Sequence, residues 1–283
     1  MNQPVRLPAQ KEIERLRLLG WDDVPADIYG VRQFSKVSEE AISFPSAKYE
    51  GDLDSQESKG LWAEFRAKKI IELLRKEKVE VLWEVGAGHG NVAIPLAKVG
   101  IETISIEPLY SGARILAAAG FHTYGQTLDQ LKLPDSAIQA VGIFDVLEHL
   151  ENPLELLNEV YRVLAPGGLL ITSVPAYQWL FSNFDLQVGH YRRYSRKSLR
   201  DLLIEGSFHS IVMYNIFFVF VLPAVLVRRI PFLIGFRSKN NIEVPSSENS
   251  LISILDPILR VLLKIEGKIS PPWGLSILSI SFK

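Results

Sequence analysis

The sequence predicts an α/β fold, a doubly wound sheet of seven strands, parallel except for an antiparallel last strand. Three observations carry that expectation. Short apolar runs alternate with helical patterns from residue 81 to residue 174. The first of those runs breaks on alternate glycines at positions 86, 88 and 90 before a helical pattern begins. Residues 275–282 alternate apolar side chains with serine, the period of a strand, and suit the closing antiparallel position.

Size and composition set the frame. A chain of 283 residues with 47% apolar residues has material for one large core plus additions. The expected division is an N-terminal extension (1–57), a ligand-binding core (58–215), an apolar helical insertion between strands six and seven (216–268) and a final strand segment (269–283). A net charge of −1 supplies no general attraction to a polyanion, so no nucleic-acid partner is expected. There is no cysteine, hence no disulfide and no thiolate metal site, and no metal ligands are expected elsewhere. The polar start, with Lys11, Glu12, Glu14 and Arg15, lacks the apolar core of a signal peptide and suggests a cytoplasmic protein.

Taken in order, a short helix is expected from Lys11 until Gly20 stops it, and a longer one over residues 58–78, where Trp62, Phe65, Ile70, Leu73 and Leu74 build one face. Residues 81–97 read as strand, tight loop and helix. Glycines at 86, 88 and 90 let bare backbone approach a ligand. A dinucleotide fingerprint would place its third glycine at position 91, where Asn91 stands. Glu84, two residues before Gly86, suits a ligand carrying an ammonium group better than a pyrophosphate, which a carboxylate would repel.

A second strand over 102–106 ends at Glu107, where a dinucleotide-type unit keeps the acid that accepts both ribose hydroxyls. A helix over 111–119 follows, and then Gly125-Gln126-Thr127-Leu128-Asp129. Residues 140–147 form the fourth strand, and the run Phe144-Asp145-Val146-Leu147-Glu148-His149-Leu150 leaves its end. Asn152-Pro153 opens a helix, residues 169–174 make the next strand, Ser195 caps a helix over 196–205, and 208–214 form a sixth strand. All the candidate ligand residues fall at strand carboxyl ends, where open α/β sheets bind ligands.

The spacing of Glu84, Gly86, Gly88 and Gly90 resembles motif I of the class I S-adenosylmethionine (SAM) dependent methyltransferases, which have a Rossmann-like fold. More specific are Phe-Asp-Val-Leu-Glu-His-Leu at 144–150, Arg162-Val163-Leu164-Ala165-Pro166-Gly167-Gly168, Ser173-Val174-Pro175-Ala176 and Gly189-His190-Tyr191-Arg192-Arg193-Tyr194-Ser195. With Leu61-Trp62 and Arg66 upstream, this ordered set resembles the type 11 and type 23 methyltransferase groups over roughly residues 62–208. The resemblance implies SAM as cofactor, held by Glu84, Gly86, Ala87, Gly88, Gly90, Glu107, Pro108, Gln126, Thr127, Leu128, Asp145 and Val146. Related enzymes often carry an acid near the adenine amino group; here Gln126 stands nearest to that place.

Methyl transfer needs alignment and exclusion of water, plus a base when the acceptor is a hydroxyl or protonated amine. His149 and His190 are the candidates for that base, with a purely structural role for His149 equally open. Trp62, Arg66, Tyr191, Arg193 and Tyr194 are candidate acceptor-binding residues, and the aromatic and basic segment 175–195 reads as a lid. No Asn-Pro-Pro-Tyr or Asp-Pro-Pro-Tyr follows the fourth strand, which points away from base amino groups.

Residues 211–227 carry no charge, but the helical portion is shorter than the ~20 residues of a membrane span. Residues 237–250 read as a polar linker, and Asp256-Pro257 opens a helix with Ile258, Leu259, Leu262 and Leu263 on one side and Arg260, Lys264 and Lys268 on the other. Contact with the inner face of a membrane and burial against protein, including a homodimer interface, both remain open. The function expected is methyl transfer to an oxygen or nitrogen of a small or lipid-linked acceptor, such as a glycolipid or polysaccharide precursor. The alternatives are a membrane-associated scaffold without turnover and, more remotely, a nucleic-acid methyltransferase.

Overall fold

The computed structural model describes residues 8–33, 60–233, 250–267, 269 and 271–283. Most of the expected extension (1–7 and 34–57), the expected linker up to residue 249 and Lys268 lie outside them.

The elements run α1 (Pro8–Leu18), β1 (Val31–Arg32), α2 (Leu61–Lys76), β2 (Val81–Val85), α3 (Ala93–Ala97), β3 (Glu102–Ile106), α4 (Tyr110–Ala118), β4 (His122–Tyr124), β5 (Ile138–Phe144), α5 (Pro153–Val163), β6 (Leu164–Pro175), α6 (Asn183–Gln187), α7 (Arg196–Glu205) and β7 (His209–Ile216). They continue with α8 (Val221–Ala224), α9 (Ile230–Leu233), α10 (Ser250–Glu266) and β8 (Ser276–Phe282). One sheet holds all the strands in the order β1-β4-β3-β2-β5-β6-β8-β7. The pairs from β1 to β6 are parallel; β8 is antiparallel to both β6 and β7.

The doubly wound sheet expected from the sequence is therefore present, with eight strands instead of seven. The extra strand is β1, two residues long at the edge, and two residues carry no readable periodicity. Its neighbour Gly125 donates its N–H to the Arg32 carbonyl at 2.8 Å. Winding starts at β2, moves through β3 and β4 in one direction and then resumes at β5 on the other side. The crevice between the ends of β2 and β5 is thus the topological switch point, the usual ligand site of such sheets.

Two apolar layers sandwich the sheet. Trp83, Ile104, Tyr124, Val141 and Leu170 face one, which α1, α5 and α7 cover; Leu82, Phe144, Ile171 and Leu278 face the other beneath α2 and α10. The N-terminal helix belongs to this packing, because Ile13, Leu16 and Trp21 are buried and Glu12 accepts the Trp83 indole N–H at 2.8 Å. A half-buried carboxylate so placed ties α1 to the middle of the sheet.

The insertion emerges after β7 and returns to β8, as the sequence implied. Glu266, buried at the end of α10, accepts the backbone N–H groups of Phe217 and Val219. Trp62 of α2 stacks on Phe217 with ring planes 12° apart. Helix α10 starts upstream of the expected Asp256-Pro257 boundary and carries Pro257 inside it. The apolar sequence Leu251-Ile252-Ser253-Ile254-Leu255 extends the helical pattern, and the proline removes one backbone hydrogen bond without ending it. Among the described residues no helix is long and apolar enough to cross a membrane.

Candidate active site

The glycine loop leaves β2 and folds against the end of β3, where Gly86 and Ala87 both donate to the Ile106 carbonyl, at 2.8 and 3.3 Å. Gly86, Gly88 and Gly90 all have positive φ. At Gly86 the constraint is double. Its φ is +73°, and a Cβ there would stand 2.5 Å from Val146 Cγ2, across the switch point. The loop therefore sits flush against the residues leaving β5.

Glu107 ends β3 and closes the loop from the other side. Its carboxylate accepts the Gly88 N–H at 2.7 Å and the Leu109 N–H at 2.9 Å, and each oxygen keeps a further lone pair. Burial pushes its pKa up to about 7 against those two hydrogen bonds. Gly112 of α4 makes this approach feasible, since a Cβ there would lie 3.0 Å from both Glu107 Cγ and the Gly88 carbonyl oxygen. Pro108 follows, half-buried.

Two buried acceptors have no hydrogen-bond partner among the described residues: Glu84 Oε2 on β2 and Gln126 Oε1 just after β4. Burial lifts the Glu84 pKa to about 8, with the Arg66 guanidinium pulling against it. An orphaned carboxylate oxygen and an orphaned amide oxygen, each in a side chain 2% exposed, are acceptors waiting for donors from a ligand. Leu128 is buried nearby in the chain, while Thr127 is half-buried and its N–H binds the Gln130 side chain at 3.1 Å.

On the other side of the crevice, Asp145 leaves β5 with a φ of +55°. Non-glycine residues seldom adopt that region, and such strain collects at functional sites. Its carboxylate is held by Ser173 Oγ at 2.9 Å and by an ion pair to Arg66. Arg66 is itself buried on α2, and burial lowers its pKa while Glu84 and Glu148 counteract that. One guanidinium thus serves three acids around the switch point.

A single turn beyond Asp145, Leu147–His149, presents Glu148 and His149. The segment following β6 is stitched over that turn. Tyr191 N–H donates to the Glu148 carbonyl at 2.8 Å, Tyr194 Oη donates to the Leu147 carbonyl at 3.0 Å, and Tyr177 N–H donates to the Tyr194 carbonyl at 2.7 Å. Within the segment, the buried Asp185 accepts from Arg193 Nε at 2.7 Å and binds His190 Nδ1 at 2.8 Å. Burial pushes the Asp185 pKa up, but His190 and Arg193 outweigh it and hold the group below the usual carboxylate range.

Both expected base candidates meet here, with the rings of His149 and His190 4.6 Å apart, edge to face. Burial and the neighbouring His190 push the His149 pKa down to about 4, so its ring is neutral at physiological pH. Of the acceptor-binding candidates, Tyr191 is exposed. Trp62 is stacked on the insertion, while Arg66 pairs with Asp145 through one guanidinium nitrogen, Arg193 with Asp185, and Tyr194 with the Leu147 carbonyl. These last three hold the site's shape.

The chain matches the model of the type 23 methyltransferase-domain family over residues 60–207, more than half its length. It belongs to that family. Among its relatives, an "Uncharacterized methyltransferase" of Mycobacterium leprae is 29% identical over 125 residues, 42% of this chain and 46% of the relative. A "Probable S-adenosylmethionine-dependent methyltransferase" of Mycobacterium tuberculosis is 27% identical over 140 residues, 47% of this chain and 50% of that one. The chain spans about half the length of the curated relatives it matches. Among solved structures, a SAM-dependent methyltransferase of Thermotoga maritima is similar with a TM-score of 0.51 at 19% identity, covering 78% of this chain and 90% of the other, a likeness of fold.

In this methyltransferase-family fold, four residues of the site went unnamed in the sequence reading. Glu148 sat inside the quoted 144–150 run, three positions after Asp145, a spacing that one turn brings to the same side. Ser173 likewise lay in a quoted motif. Gly112 and Asp185 carried no recognised motif; Asp185 binds His190 and Arg193 within its own segment, and Gly112 stands against Glu107.

Proposed function

We propose that this protein is a SAM-dependent methyltransferase acting on an oxygen or nitrogen of a small or lipid-linked acceptor. The observation that carries the reading is the pair of buried acceptors without a partner among the described residues, Glu84 Oε2 on β2 just ahead of the glycine loop and Gln126 Oε1 just after β4. SAM offers donors of matching kind in its amino-acid ammonium and adenine amine, and Glu107 retains lone pairs for ribose hydroxyls. When bound, SAM supplies an electrophilic methyl group on a sulfonium. The family match and the names of the relatives support the same donor.

The residues of this chain then have three tasks. Gly86, Ala87, Gly88, Gly90, Glu107, Pro108 and the segment Gln126-Thr127-Leu128 hold the donor on one side, with Asp145 and Val146 on the other. The stitched segment 175–195 excludes water above the turn Leu147–His149. His149, neutral at physiological pH, and His190 stand where an acceptor's proton would leave.

A lipid-linked acceptor and a peripheral position at the inner membrane face are supported by the apolar surface of the insertion. Leu222 and Leu233 are 66% and 63% exposed, and Leu226, Ile258, Val261 and Ile265 of the same insertion are exposed as well. Exposed apolar side chains of that kind suit a membrane or partner contact.

Isothermal titration with SAM tests the core of the reading. Binding by the parent protein and at least tenfold weaker binding by Glu107→Ala are expected; absence of binding by the parent would overturn it. Transfer from labelled SAM into fractionated lipid and glycan extracts then identifies the acceptor class.

A further inference from the structure

The turn Leu147–His149 and the segment above it bring three metal-ligating side chains together. Glu148, His149 and His190 each offer a ligand atom, and those atoms lie within 4.8 Å of one another. A cation bound at about 2.1 Å would set its ligands roughly 3–3.5 Å apart, so closing the site asks for about 1 Å of side-chain movement.

The Glu148 side chain is 1% exposed, and no other residue among those described hydrogen-bonds its carboxylate oxygens. A carboxylate stripped of water costs several kcal/mol unless something positive replaces the water. The charged groups around it are Arg66, Arg193, Asp185 and His190. Both arginines hydrogen-bond elsewhere, Arg66 to Asp145 and Arg193 to Asp185.

His190 shows how the gap is arranged. An ionised Asp185 only accepts, so the Nδ1 that binds it at 2.8 Å carries the proton. In the neutral ring Nε2 then turns a lone pair toward Glu148 Oε1, 3.9 Å away. That gap has room for a shared proton or for a cation. The carboxylate behind the imidazole is also the usual support of a metal-bound histidine. His149, held by the Gly189 backbone, stands with its ring 4.6 Å from that of His190.

We infer that Glu148, His149 and His190 form a binding site for one divalent first-row transition cation, backed by Asp185. Two imidazoles with one carboxylate and no thiolate suit zinc, iron(II), cobalt(II), nickel or manganese, and three protein ligands leave positions open for an oxygen ligand. The sequence expectation was no metal at all, since adjacent Glu148 and His149 lack the spacing of a ligand motif and His190 sits in a separate segment. The site stands on geometry; its use rests on the methyltransferase reading. There, an acceptor hydroxyl bound to the cation loses its proton to water at lower pH, and its oxygen attacks the methyl carbon. The carbon–sulfur bond breaks as that bond forms, and sulfur keeps the electron pair.

The test is titration of the chelator-treated full chain with Co2+ alone, read by visible d–d absorption and by calorimetry. One equivalent binding, displacement by Zn2+ and at least 100-fold weaker binding by Glu148→Gln and by His190→Ala are expected, with about 10–100-fold weakening by Asp185→Asn. Absence of heat and spectrum in the parent would overturn the inference and leave a metal-free His190–Glu148 ion pair; so would unchanged Co2+ binding by both ligand variants. SAM binding measured on the same samples separates the two conclusions. SAM bound without Co2+ removes only the metal, and Co2+ bound without SAM removes only the methyltransferase reading. Should a variant lose its thermal transition, the parent titration alone decides.

Discussion

The Arg66 guanidinium, projecting from α2, pairs with the carboxylate of Asp145 at the end of β5, and the same cation lies within electrostatic reach of Glu84 and Glu148. Removing it should leave several buried acids uncompensated. Arg66→Met is expected to lower stability by about 3–5 kcal/mol, and Arg66→Lys by less, because an ammonium keeps the charge and loses the planar fork. Denaturant unfolding of the three proteins measures this, and equal midpoints would refute the role given to Arg66.

Gly86 combines a positive φ with a close approach to Val146. Gly86→Ala should cost roughly 1–3 kcal/mol and weaken SAM binding at least tenfold. Pairing it with Val146→Ala relieves the collision and leaves the φ penalty, so the double variant should regain only part of the stability. Calorimetric binding and thermal melts of single and double variants check the partition.

Glu84 couples stability to pH. Its folded pKa of about 8 lies above the unfolded value of 4.5, so its contribution is fully present below pH 4.5 and is lost as pH rises through 8. Glu84→Gln does not titrate. Between pH 5 and pH 9 the ligand-free parent should therefore lose stability relative to Glu84→Gln, by an amount on the order of 1–3 kcal/mol after allowance for coupling to Arg66. A parallel pair of stability curves across that range would contradict the assignment.

Asp185 anchors His190 and Arg193. Asp185→Asn should slow methyl transfer about tenfold or more while SAM affinity stays within twofold, with kcat and not the SAM KM carrying the change. Loss of SAM binding in this variant would show that the segment above the crevice acts on the donor instead.

The exposed apolar side chains of the insertion predict surface association. Replacing Leu222, Leu226, Ile258 and Ile265 by serine should abolish flotation with liposomes of anionic lipid and leave SAM binding unchanged. Equal flotation of parent and variant would reject the membrane contact, and a change in oligomeric state without any flotation would assign the surface to a second copy of the chain.

Much of this was legible beforehand, for identifiable reasons. Strands β2 and β3 and helix α7 fell where apolar periodicity and the Ser195 cap placed them, because those signals are local. The glycine loop and Glu107 are likewise readable, since backbone that must touch a ligand admits few residue types. Strand β1 escaped because two residues have no period, and its pairing with β4 is a tertiary matter. Asn152 stands before the α5 helix as expected, yet its side-chain amide donates to Glu155 at 2.8 Å instead of accepting a helix N–H.

By itself the sequence determined the doubly wound class and the order of the elements from β2 onward, because each depends on residues near one another in the chain. Which acids share Arg66, what holds His190, and the meeting of Glu148, His149 and His190 were decided only by the tertiary structure. Those relationships join α2, the end of β5 and the segment above β6, and their energies depend on burial. Desolvation turns a surface-like run of Asp, Glu and His into charges that must find partners, and no one-dimensional spacing records which partners the fold brings within reach.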